Sequence, residues 1–179
     1  SDRNAVSFST LTGTGQYGLY ANVADTNTVT QSYLQGVQRG AFLDTGADYN
    51  TISFSSVISN SAGNAALHLF SVSSNTIDNC FIQGSTAAYI AGSTGTVIRG
   101  TVLIATNTIG SAVALVGGSV NLTLATSTLS APALGRGLAL NPGNVGVVSV
   151  GSVTFTGAAR GIEISTQCAL FTLTVDSVT

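Results

Sequence analysis

The chain has no Lys, no Met and no Trp, and charged residues fill only 7% of its 179 positions, against about 25% in ordinary domains. That deficit excludes several classes of function. The Arg residues are scattered and the net charge is −2, so no basic face exists for nucleic acid. The single His68 has no ordered partner in Cys80, Cys168 or the few acids, so no metal-ligand set is present. No apolar run reaches the roughly 18 residues of a membrane span. There is no Gly-x-Ser-x-Gly elbow for a serine nucleophile, and no cofactor is expected. Helical periodicity of useful length is missing as well. What remains is a hydrophobic fraction of 44%, enough for a folded core. With it come 21 Gly and abundant Ser, Thr, Val and Asn, which favour strands and tight turns. The chain opens without Met and starts and stops inside a repeat, so a single domain over 1–179, cut from a longer polypeptide, is expected.

The repeat dominates everything else. Starts at Ala5, Thr28, Thr51, Thr76, Thr96, Asn121, Gly146 and Leu170 recur at roughly 24 residues. The next position is always apolar: Val6, Val29, Ile52, Ile77, Val97, Leu122, Val147 and Phe171. Three further on, Ser9, Ser32, Ser55, Cys80, Gly100 and Ala125 are small, and Leu11, Leu34, Val57, Ile82, Val102, Leu129 and Val153 form another apolar column. A third run begins with Gly18, Gly40, Ala66, Ala87, Ala112, Gly137 and Gly161, each before an apolar-x-apolar triplet. Alternation within the triplets is the strand period. A unit of this length with two or three short strands and no helix makes one turn of a parallel β-helix, stacked on the next at about 4.8 Å. Each turn buries its apolar residues only against its neighbours. The expected fold is therefore all-β, a parallel β-helix of seven to eight coils. Asn4, Asn27, Asn50 and Asn75 precede the first starts, giving way to Gly95, Val120 and Val145. Amides stacked at strand spacing bond along the axis as a ladder.

The pattern Asn-Thr-Ile/Val-x-x-Ser-x-Ile/Val, followed by Gly/Ala-apolar-x-apolar, resembles the right-handed parallel β-helix of pectate-lyase-like proteins. Its Thr/Ser/Gly-rich, Lys-free coils are most similar to phage tailspikes and tail fibres. The resemblance implies a homotrimer on the virion surface that binds, and in some members cleaves, host cell-surface polysaccharide. The chain lacks the Lys, the adjacent Asp pair, the Gly-His and the Arg-x-Lys of pectinases, so pectin chemistry is not expected. Two other readings stay open, a polysaccharide hydrolase or lyase of the same fold and a secreted bacterial adhesin passenger.

Candidate sites follow from the stacking. Asp2, Asp25 and Asp48 share a column three residues before consecutive starts. Adjacent coils bring such carboxylates to about the separation of a retaining glycosidase pair, though Asp also commonly bonds its own backbone in turns. Asp25, Asp44 and Asp48 are the acids a hydrolase would use, while Glu163 lies coils away. Outward triplet centres read Tyr20, Phe42, His68, Tyr89, Ala114, Ala139 and Glu163. Phe70 and Asp44 share that face, with Arg39 at its margin. Rings with a few polar groups suit a sugar, a neighbouring protomer or a covering loop. Cys80 and Cys168 are too far apart for a disulfide and are expected as free thiols. The Asn121-Leu122-Thr123 sequon falls on an expected strand.

Overall fold

Strand-forming triplets and quartets, separated by corners too short to form a helix, stack into a solenoid of three parallel sheets in the computed structural model. It describes residues 3–143, 146–168 and 171–179. One coil is typified by the strands Thr51–Ser53, Ser56–Ser59 and Ala65–Phe70. The first sheet contains eight strands, from Ala5–Ser7 to Phe171–Val175. The second and third contain seven each, ending at Thr154–Thr156 and Arg160–Ile164. Every strand pairs in parallel with its equivalents one coil away. Among the described residues no helix is long and apolar enough to cross a membrane.

The core is made of inward columns, one or two per sheet. Leu34, Val57, Ile82, Leu103 and Leu129 line the second sheet and are fully buried. Leu67, Val113 and Leu138 with Leu69, Leu115 and Leu140 line the third. The third-sheet register is the one the triplets indicate, because the preceding small residues are sterically required. A Cβ on Gly18 would lie 2.7 Å from the Gln35 nitrogen and the Gly40 oxygen, and one on Gly40 2.6 Å from the Ile58 nitrogen.

The first-sheet register departs from the sequence expectation after Ile77. Ile77 pairs with Ile98, Ile98 with Leu124, and Leu124 with Val150, so Val97, Leu122 and Val147 do not continue the Ile52 column. Val97 is half-buried and Val147 is 43% exposed. In the last strand Val175, not Phe171, meets Val150. The second sheet corrects likewise, with Leu103 and Phe155 in place of Val102 and Val153. Corner geometry is the cause. In the first six coils a left-handed residue, the opener, precedes the first-sheet strand and another follows it five residues later. Tyr49 and Phe54 do this at φ 56° and 48°, Ser74 and Asn79 at 56° and 51°, Gly95 and Gly100 at 66° and 57°. The residue three after the opener faces inwards in each case: Ile52, Ile77 and Ile98.

Polar ladders fill two of the corners. Asn4 and Asn27 each donate through Nδ2 to the Oδ1 one coil on, both at 2.9 Å. The Asn50 backbone donates to Asn75 Oδ1 at 2.7 Å, and Asn75 Nδ2 donates to the Ala47 carbonyl at 2.9 Å. Thr96, not Gly95, succeeds Asn75, since Thr76 pairs with Val97, and Leu122 and Val148 complete the column rather than Val120. Val145, Leu170 and Asp2 lie outside the described residues. The small-residue column is a second ladder. Ser9 and Ser32 backbones donate to the hydroxyls of Ser32 and Ser55, and Cys80 and Thr101 backbones to those of Thr101 and Ser127. The expected Gly100 and Ala125 are replaced there by Thr101 and Ser127. Both cysteines are free. Asn121 sits on an exposed left-handed corner at φ 56° rather than in a strand.

Candidate functional site: a ringed face on the third sheet

The inward column of the third sheet fixes what its outward column must do. Tyr20 pairs with Phe42, Phe42 with His68, and His68 with Tyr89. At strand spacing, successive rings have no choice but to touch. Phe42 and His68 stack at 4.8 Å with 24° between planes, and Tyr89 meets His68 edge-on at 4.9 Å. Tyr20 lies 5.5 Å from Phe42, and Phe70 flanks His68 at 6.1 Å. Tyr17, which the triplet reading overlooks, joins the cluster 5.4 Å from both Tyr20 and Phe42. It stands two residues before the inward Leu19, where strict alternation would turn it into the core, and that is why the triplets do not reveal it. Arg39, paired in register with Tyr17, lays its guanidinium over Phe42 at 4.8 Å and over Tyr17 at 5.6 Å.

Beside the rings is a groove of about 310 Å³ lined by Arg39, Asn64, His68, Thr86 and Tyr89, with Gly63 and Ala65. Two of its nitrogens, Arg39 Nε and His68 Nε2, are buried without a hydrogen-bond partner. Such groups cost about 1–3 kcal/mol each when left unpaired. Burial, reinforced by the Arg39 charge and only partly opposed by Asp44, lowers the His68 pKa to about 4. The imidazole is therefore neutral at physiological pH, and its Nε2 either donates or accepts according to tautomer. Arg39 supplies the positive charge.

The acids separate into two places. Asp44 belongs to the ringed face: the Tyr20 hydroxyl donates to its Oδ2 at 2.9 Å, and the Thr45 amide to its Oδ1 at 2.8 Å. Burial works to raise its pKa, but these bonds and those from the Thr45 hydroxyl and Asn22 outweigh it and hold the carboxyl lower than usual. The same bond to Asp44 raises the Tyr20 pKa. Asp25 and Asp48 serve the corner ahead of the first sheet. The Asp48 amide donates to Asp25 Oδ1 at 2.9 Å and the Ser73 amide to Asp48 Oδ1 at 2.6 Å, the backbone role that Asp commonly takes in turns. Glu163, at the far end of the outward column, is held by Arg136 at 2.6 Å and by Arg160. Among the described residues no three metal-ligating side chains cluster.

Comparison with known proteins agrees with this architecture. No curated protein matches the chain in sequence. A solved structure of the Streptococcus pneumoniae surface protein and adhesin PfbA superposes on 97% of this chain and 68% of its own, at 11% identity and a TM-score of 0.51. The catalytic domain of a GH87 α-1,3-glucanase in complex with nigerose aligns with 88% of this chain at 12% identity and a TM-score of 0.34, and the chain spans 46% of its length. The family model described as "Right handed beta helix region" matches residues 1–177. With parallel three-sheet coils running the length of that match, the chain belongs to the right-handed β-helix family.

Proposed function

We propose that this β-helix is a homotrimeric tail-spike or tail-fibre module, displayed on a virion surface, whose third-sheet face holds acidic host polysaccharide. The observation that carries this reading is the pair of unpartnered buried nitrogens, Arg39 Nε and His68 Nε2, lining a groove floored by rings. A carboxylated sugar would satisfy both, its carboxylate at Arg39 and a hydroxyl at His68, while its apolar face stacks on Tyr89 and Phe42 backs the His68 and Arg39 side chains from behind. Binding without cleavage is favoured. A glycosidase needs two free carboxyl groups across one bond, and Asp25 and Asp48 are engaged by backbone amides while Asp44 is bonded to Tyr20 and Thr45. A bacterial adhesin is the second reading, since an adhesin shares this fold over nearly the whole chain, and it makes the same demand of the same face.

The test is Phe42→Ala combined with Tyr89→Ala, assayed for polysaccharide binding and for mass by light scattering. Two ring anchors are each worth on the order of 2 kcal/mol. A sugar face predicts lost binding with mass held at three times 17.9 kDa. Dissociation of the double variant would instead make the rings a contact between protomers. Unchanged binding and mass would remove this face from either role.

A further inference from the structure

A second ringed surface lies on the opposite side of the coil, at the corner between the first and second sheets. Phe8 and Phe54 are 78% and 61% exposed, and both adopt φ 48°. The left-handed region is unfavourable for a bulky side chain. Later coils fill the same corner with Asn79 and Gly100, which tolerate it, and with the smaller Thr126, none of them a ring. These two phenylalanines therefore oppose both the local backbone preference and the tendency of apolar rings to avoid water. Folding does not ask for them.

Their neighbours are ordered too. Two residues beyond the corner, the second-sheet strands present Thr10, Tyr33, Ser56 and Phe81 outwards in one register column. Tyr33 and Phe81 are 38% and 37% exposed. Each of the first four coils thus carries one ring and one neutral hydrogen-bonding side chain, and the two exchange places from coil to coil. The pairs are Phe8 with Thr10, Gln31 with Tyr33, Phe54 with Ser56, and Asn79 with Phe81. From the fifth coil onwards, at Gly100 and Val102, the alternation stops. A shallow groove of about 490 Å³ runs between Phe8, Gln31, Tyr33 and Phe54. No side chain of this checkerboard carries a charge at neutral pH. The nearest charges, Asp78 and Arg99, neutralise each other at 3.0 Å.

We propose that this checkerboard is a binding site, separate from the Arg39–His68 groove, for a neutral polysaccharide of extended, cellulose-like geometry lying along the coil axis. Coils advance about 4.8 Å, close to the rise per sugar of such a chain, so each sugar meets one coil. Successive sugars in an extended chain are flipped about the chain axis, so the edge that was on the left for one is on the right for the next. A ring and a hydrogen-bonding group that swap columns each coil match that alternation. A patch without charge matches a glycan without charge, and apolar sugar faces stack on exposed rings. A flat protein partner would require neither the one-coil period nor the exchange of columns.

Native-gel retardation tests the proposal, with hydroxyethylcellulose and galactomannan as neutral extended probes and polygalacturonate as the acidic control. The variant is Phe8→Asn with Phe54→Asn, which places at both corners the residue that Asn79 already shows to be accepted. The wild-type chain should be retarded by at least one neutral probe. The double variant should bind about a thousandfold more weakly, as for loss of two ring anchors, with its Tm unchanged or raised. Phe42→Ala with Tyr89→Ala should leave this retardation intact, so the two sites fail separately. Absence of retardation by both neutral probes would overturn the proposal, as would retardation that survives in Phe8→Asn/Phe54→Asn. A wild-type oligomer that this variant dissociates would also overturn it, assigning the rings to a second copy of the chain.

Discussion

Replacing Ile98 with Ala, beside the control Val97→Ala, distinguishes two registers one residue apart. Ile98 is fully buried between Ile77 and Leu124. Its truncation removes three carbons from a column held on both sides by fixed strands, so the cavity has little means of collapse. Such changes cost about 2–5 kcal/mol. For a chain of this size each kcal/mol lowers Tm by about 2–4 °C, which gives a fall of about 4–20 °C. Val97 is half-buried on the other face of the strand, and its truncation should cost on the order of 0.5 kcal/mol. Thermal and urea unfolding followed by circular dichroism would measure both, the second guarding against one end of the stack melting alone. If Val97→Ala proves more damaging than Ile98→Ala, the corner-based register is wrong.

Two further perturbations address the ladder and the groove. Asn75→Ala removes the acceptor of the Asn50 amide and the donor to Ala47; it should cost about 1–3 kcal/mol, measured as a lowered urea midpoint. His68 has a folded-state pKa of about 4 against an ordinary 6.5, so between those values the unfolded chain binds a proton that the folded chain refuses. The contribution of this residue to stability is constant above pH 6.5 and falls as pH drops towards 4. His68→Phe should flatten the decline in that window relative to wild type, measured by urea midpoints at successive pH values, and an identical slope in the two proteins would refute the burial of this ring.

How much was legible in the sequence depended on how many neighbours constrained each position. The third sheet could be read residue by residue because Gly18 and Gly40 are fixed by contact with the neighbouring backbone and only Ala or Gly follows them in that column. Tyr20, Phe42, His68 and Tyr89 then fell on one face without ambiguity. In the first sheet, Val97 and Ile98 are adjacent and both apolar, so hydrophobicity alone cannot choose between them. The deciding signal was the pair Gly95 and Gly100, five apart like the left-handed corners of earlier coils. Phe8 and Phe54 were hidden for a related reason. Each follows an inward residue, Val6 or Ile52, by two positions, which strict alternation would turn into the core. The left-handed corner interrupts the alternation and points them outwards. That Asp25 and Asp48 accept backbone amides rather than face each other across a substrate could not be told from spacing, because both roles need the same column.

The proposed polysaccharide face is tested most directly at its own imidazole. His68 is the sole histidine of the chain, so a long-range proton–nitrogen correlation spectrum of uniformly labelled protein shows one pair of ring nitrogens, both inside the site. Titration with fragments of hyaluronan or polygalacturonate should move the Nε2 resonance as that nitrogen gains a partner, and Arg39→Ala should abolish the movement. Acidic fragments that bind while leaving both His68 nitrogens unshifted, or that fail to bind at all, would contradict the assignment of this face.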